Sequence, residues 1–328
     1  MSFIKLDQLP EVSQKYTQNK WADFIELKCI DNIDGEISLN DIVQIDANEN
    51  FSEMIDEESP SEKTTNQHCR FVEIFTYIKF RSKILGQFYP FEYTDNYIIK
   101  LSPLTHDNLL YIYLLLSSNT KYLDRALASK FTNYFERLSL KIMHILYPNF
   151  RNELFGTSTV PGDCFHGGTL HEKLIKLSKC INTNMTRKEE NNPRNSWGSG
   201  DRGIDVISFF QPDFDTCNAS YIPVNVGQCS CSYDEWENKQ SSISNKMIQN
   251  IFEDFATCLE FMFIPFPLRS ASGNWADEDF PYIGTIVIDR FRFFSIIAKS
   301  NKITPELIIT NDIKDYLKNV SEKLYVAS

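Results

Sequence analysis

The 328-residue sequence predicts a protein of the α+β / α/β class: a mixed β-sheet core flanked by helices, preceded by a mostly helical N-terminal domain. Three observations predict it. Segments 204–210 and 221–229 read as short strands rich in β-branched and aromatic residues. Apolar residues at helical spacing recur through the first 146 positions. Near residue 150 the chain changes to a Gly-rich style, which predicts a boundary between domains 1–150 and 151–328.

The elements follow in order. In 20–30, Trp21, Phe24, Ile25 and Cys29 recur at helical spacing. Ser38 is placed to cap a second short helix carrying Ile42 and Ile45. The acidic, Ser-rich stretch 46–64 predicts a surface loop, and 66–85 a longer helix that stops at Gly86. Residues 91–93 and 97–101 read as a strand pair turned at Thr94-Asp95-Asn96. Helices over 105–116 and 124–146 follow, the second ending at Tyr147-Pro148. In the second half, 170–177 is an amphipathic helix with Leu170, Leu174 and Leu177 on one side. The stretch 182–200 is a polar loop, 241–259 a helix and 261–266 a third strand; 285–298 is a helix or strand–helix, and 304–324 is helical.

Composition bounds the function. Hydrophobic residues make up 42 %, with 25 Phe and 15 Tyr, so there is material for a core and no signature of broad disorder. The net charge of −11 is local. Residues 1–60 hold 14 Asp/Glu against 4 Lys, whereas the remainder is close to neutral with 30 acids and 29 Lys/Arg. A polyanion is therefore repelled by the N-terminal segment alone, which otherwise serves solubility. Eight scattered cysteines match no disulfide framework or zinc spacing, as expected for free thiols in a reducing cytosol. The longest apolar runs, 109–116 and 261–267, fall far short of the ~20 residues of a membrane helix, and no secretory leader is evident. The expected location is cytoplasmic, without membrane contact.

One constellation carries chemistry. Strand side chains alternate faces, so Asp205, Ile207 and Phe209 share one face and Ile222, Val224, Val226 and Gln228 another. On each strand a polar residue terminates an apolar face. If the strands pair antiparallel, Asp205 and Gln228 meet at the core's rim. A hard cation needs oxygen donors, and the Asp205 carboxylate, the Gln228 amide and the Cys229 backbone carbonyl offer them. Mg²⁺ or Mn²⁺ so held neutralises charge developing on a phosphate. Glycines at 200, 203 and 227 permit close approach of backbone or phosphate. Plainer readings exist: the glycine-rich motif as a hairpin entry, Glu172 as a solvated helix residue, Asp201 as a turn-former. A thiol enzyme using Cys229 or Cys231 has no histidine near it in sequence.

Gly200-Asp201-Arg202-Gly203-Ile204-Asp205-Val206-Ile207, followed by Val226-Gly227-Gln228-Cys229, resembles the core of the PD-(D/E)XK nuclease superfamily, and within it the Mrr-like restriction endonucleases. The resemblance covers residues 165–268. It implies that Asp205 binds the metal, that Gln228 replaces the usual Asp/Glu, and that Glu172 is the family's helix-borne Glu. It also implies a lysine where this chain has Ser230, leaving Lys239 or Lys246 on the following helical region to supply the ammonium. The family sets a short strand before the acid, and 186–200 offers no clear one. The activity implied is Mg²⁺-dependent hydrolysis of DNA phosphodiester bonds, in restriction or anti-phage defence, alone or beside a partner ATPase or other defence-system protein. The alternative is a catalytically degenerate nuclease fold that binds nucleic acid or a partner protein.

Overall fold

The computed structural model describes residues 4–11, 16–50, 60–95, 97–156, 163–191, 203–211, 220–240, 245–276, 284–300 and 311–320. It is a mixed α+β structure, and its chain divides into two compact units. The first comprises Met1–Ala128, Phe266–Phe280 and Pro305–Ser328; the second comprises Ser129–Pro265 and Pro281–Thr304. Each unit gathers stretches distant in sequence.

In the first unit, α1 (Thr17–Asp31) is the central element. Trp21, Phe24, Ile25, Leu27, Cys29 and Ile30 are all fully buried, so it is apolar around most of its circumference. β1 (Glu36–Ser38) leads directly into α2 (Leu39–Asn50), where Ser38 and Asp41 hydrogen-bond each other across the helix start. The long helix α3 (Pro60–Leu85) closes at Gly86, whose φ of +53° suits glycine. β2 (Phe91–Thr94) and β3 (Ile98–Leu101) form the expected antiparallel pair. β1 adds to the free edge of β3, with Ile37 opposite Ile99. Sequence reading did not find β1, because a three-residue strand is too short to show a period. α4 (His106–Ser117) opens with a reciprocal capping box between Thr105 and Asn108.

Beneath these elements lies a buried charge network. Arg81 of α3 has no exposed surface, and its Nη1 donates to Asp23 at 2.7 Å and to Glu26 at 2.9 Å. Glu26 also accepts from the hydroxyls of Tyr89 and Tyr111, and Asp23 accepts from Ser118 and Asn119. One cation faces two carboxylates, and four neutral donors supply the remaining stabilisation. The carboxylates hold the guanidinium in its charged form against the cost of burial, so its pKa lies well above the usual value.

The second unit is a five-stranded sheet in the order β4-β5-β6-β7-β8. β4 (Phe150–Leu154), β5 (Val206–Phe210) and β6 (Val224–Cys229) are antiparallel; β7 (Leu259–Phe263) and β8 (Ile286–Ile288) continue parallel to β6. On one face, Ile207, Phe209, Val224 and Val226 pack with Leu170, Leu174 and Leu177 of α6 (Leu170–Cys180). Met185 precedes the short helix α7 (Arg187–Glu190) and belongs to the same cluster, as do Ile248 and Ile251 of α9 (Asn245–Ile251). The other face meets α5 (Arg125–Leu146) and α10 (Arg290–Lys299): Phe135 and Phe263 each pack their rings against Phe293. α8 (Trp236–Gln240) lies with α9 in the β6–β7 connection; of the helix expected over 241–259, the described part is helical only at Asn245–Ile251. The strand expected over 261–266 begins and ends earlier. The segment 285–298 is a strand followed by a helix. Within the span 304–324 expected to be helical, α11 (Asn311–Val320) is described, and it belongs to the first unit. Among the described residues no helix is long and apolar enough to cross a membrane.

Candidate functional site

The β5–β6 register decides what meets at the sheet end. Val206 stands opposite Gly227, and Ile207 opposite Val226. The position before β5, Asp205, is therefore opposite Gln228. Its N–H donates to the Gly227 carbonyl at 2.9 Å. On the other side, the amides of Phe155 and Gly156 at the end of β4 donate to the Asp205 carbonyl at 2.9 and 3.4 Å. The Asp205 main chain is thus held between two strands. The outer neighbour of β5 is β4, from upstream of α6; of the stretch 186–200, where the sequence offers no clear strand, residues 192–200 lie outside the described residues.

The Asp205 carboxylate turns towards the end of β6, where Oδ2 accepts from the Cys229 amide at 2.6 Å. A carboxylate on a backbone N–H makes a short, charge-assisted bond. It fixes the side chain while leaving the residue partly exposed. Gln228 is buried, with 7 % of its surface exposed. Gly227 has its own reason: a Cβ there would stand 2.7 Å from the Phe263 ring. The glycine lets that ring cross β6, which is a packing role. Gly203 has a φ of +79°, which favours glycine. Gly200, Asp201 and Arg202 lie outside the described residues.

The end of β6 gathers further charged and thiol groups. The Cys229 thiol feels the carboxylates of Asp205 and Glu136, with the Ser139 hydroxyl on α5 acting against them. Burial first, then those negative charges, push the thiol well above its usual range. Cys231 is pushed up as well: burial dominates, the Lys239 ammonium counteracts it, and Glu136 and Asp205 add to it. A raised thiol pKa gives little thiolate near neutrality, which is the wrong direction for a nucleophile.

Asp205, Gln228 and Cys229 come together at one strand end. Lys239, on α8, lies near enough to act on Cys231 and pairs with Glu235 one turn earlier at 3.7 Å. Glu172 lies at the start of α6, exposed, where its Oε2 accepts from the Thr169 amide at 2.7 Å in a reciprocal capping box. That bond gives the carboxylate a role in starting its own helix. The side chain of Lys246 lies outside the described residues.

Sequence reading missed two residues. Glu136 lies one position after the buried Phe135 and one turn before the buried Ser139. The signal was a carboxylate beside the apolar stripe of 124–146, legible only once that stripe is known to face the sheet. Lys173 is buried, with 3 % of its surface exposed, and its ammonium donates to the carbonyls of Phe155 at 3.2 Å and Gly156 at 2.6 Å. These are the two residues whose amides hold Asp205. A lysine between Leu170 and Leu174 reads from sequence as solvated; the fold folds it inward.

As donors, one carboxylate and one amide oxygen suit a hard cation that keeps most of its waters. Among the described residues no group of three or more His, Cys, Asp or Glu is placed to hold a metal ion, so a cation here would rely on neutral oxygens beside Asp205. No protein-family model, curated protein or solved structure matches the chain.

Proposed function

We propose that the second unit is a PD-(D/E)XK-like nuclease domain that hydrolyses DNA phosphodiester bonds with Mg²⁺ or Mn²⁺, in a restriction or anti-phage role. The observation that carries this reading is the placement of Asp205 opposite Gln228 at the end of two antiparallel strands, in a mixed sheet with helices on both faces. In this reading Asp205 and Gln228 hold the cation, with the Cys229 carbonyl beside them. The cation supplies positive charge opposite the scissile phosphate and orients water. The Cys229 amide keeps the Asp205 carboxylate in one rotamer, which preorganises the donor. Lys239 supplies the ammonium that Ser230 does not. Glu136 joins Glu172 as a candidate for the helix-borne acid, because its charge is felt at the strand end.

Cleavage of supercoiled plasmid with Mg²⁺, by wild type and by Asp205→Ala, tests the reading. Cutting by the wild type alone is expected. Equal cutting by both refutes the site. The second reading, a non-cutting nuclease fold that binds nucleic acid or a partner protein, is favoured by Ser230 at the expected lysine position. It predicts DNA binding that survives replacement of Asp205 and Gln228 together, with no turnover at any metal concentration.

A further inference from the structure

A lysine at Lys173 carries two costs. Its amide closes the first turn of α6 onto the Thr169 carbonyl at 3.1 Å, so it lies at the end of the helix where the peptide dipoles already place positive charge. It is also buried, so its ammonium gives up water. The fold offsets both costs with backbone. Nζ donates to the Gly156 carbonyl at 2.6 Å and to the Phe155 carbonyl at 3.2 Å, and bonds from a charged donor are stronger than neutral ones. Both carbonyls lie just past the end of β4 at Leu154, where the strand ladder stops fixing the chain. One ammonium therefore holds two successive peptide planes. The amides of the same two residues donate to the Asp205 carbonyl, at 2.9 Å from Phe155 and 3.4 Å from Gly156. The Phe155 carbonyl and the Gly156 amide belong to one peptide unit, so a cation on the first polarises the second towards Asp205. A continuous hydrogen-bonded path thus runs from the Lys173 ammonium through 155–156 to the Asp205 main chain, and from the Asp205 carboxylate to the Cys229 amide at 2.6 Å.

We propose that Lys173 is the positioning residue of the Asp205 carboxylate. By anchoring 155–156 it fixes the Asp205 main chain, and with it the direction in which the carboxylate is offered to a divalent cation. The use of that positioning rests on the nuclease reading; the hydrogen-bonded path does not. Supports of this kind orient donors from behind, and removing one weakens metal binding about 10–100-fold. Methionine at 173 fills similar space and donates nothing. The two carbonyls then lose the ammonium, and the segment that holds Asp205 is released.

The test compares Lys173→Met with Leu174→Val in the full chain. The Leu174 side chain is fully buried in the apolar cluster on the α6 face, so shortening it loosens the same helix without cutting the path. One readout is the Cys229 amide, followed by NMR for its proton shift and hydrogen exchange; the other is Mn²⁺ affinity by titration calorimetry. Both are taken where wild type and variants are folded. In Lys173→Met the Cys229 amide proton should move upfield and exchange faster, and Mn²⁺ binding should weaken about 10-fold or more. Leu174→Val should leave both close to wild type. An unchanged Cys229 amide in Lys173→Met overturns the proposal. Equal changes in the two variants also overturn it, because general loosening of the helix gives that result. If Lys173→Met does not fold, Lys173→Gln takes its place under the same two criteria. A wild type that binds no Mn²⁺ counts against the nuclease reading alone, and the Cys229 amide still decides the role of Lys173.

Discussion

Asp205 has two separable duties, and two substitutions pull them apart. Its Oδ2 accepts from the Cys229 amide at 2.6 Å, a charge-assisted bond that anchors the end of β6. Asp205→Ala removes the acceptor and leaves that amide without it, at a cost of about 1.5–3 kcal/mol for a bond to a charged group. Because the residue keeps some surface, water can replace part of the bond, so the lower half of that range is expected. Asp205→Asn keeps an oxygen acceptor of the same shape and should cost about 1 kcal/mol or less, since a neutral bond is roughly half as strong. For cleavage the order changes. Both variants lose the negative charge that holds the cation, and both should fall at least about 10²-fold, the scale of removing one preorganised electrostatic group. Urea denaturation followed by tryptophan fluorescence measures the first quantity, and plasmid nicking with Mg²⁺ the second. An Asp205→Asn protein that cuts at the wild-type rate refutes the catalytic duty. One as unstable as Asp205→Ala refutes the anchoring argument.

Other consequences are equally direct. Arg81→Met leaves Asp23 and Glu26 buried without their cation, and should cost about 3–5 kcal/mol. Urea denaturation measures the deficit, and a loss below about 1 kcal/mol would contradict this. Gly227→Ala puts a Cβ 2.7 Å from the Phe263 ring and should cost about 1–3 kcal/mol, relieved by adding Phe263→Leu; a neutral Gly227→Ala in thermal unfolding is the contrary result. Among the thiols, burial and then Glu260 push Cys258 up to about 12, and Cys229 is also held high. With iodoacetamide near pH ~8, mass spectrometry should find Cys69 modified well before Cys229, Cys231 and Cys258. Early labelling of Cys229 would overturn the burial argument.

The sequence by itself determined the elements whose period is long or whose cap is local. The helices at α1, α4, α5 and α6 follow from apolar spacing, because those interactions lie within four residues of each other. Alternation on β5 and β6 also determined that Asp205 and Gln228 would share a rim if the strands paired antiparallel, since pairing preserves which face a residue occupies. What only the tertiary structure decided is everything that depends on which distant segment arrives beside them. The outer partner of β5 is β4, some fifty residues upstream, and no local pattern specifies that choice. The same holds for the carboxylate of Glu136 near Cys229, for Lys173 turned onto the Phe155 and Gly156 carbonyls, for the Phe263 ring that makes residue 227 a glycine, and for Arg81 closing on Asp23 and Glu26. A charged residue's sequence neighbours report whether it sits on a helix or a strand. Whether its charge faces water or another group is decided by the packing of the whole chain.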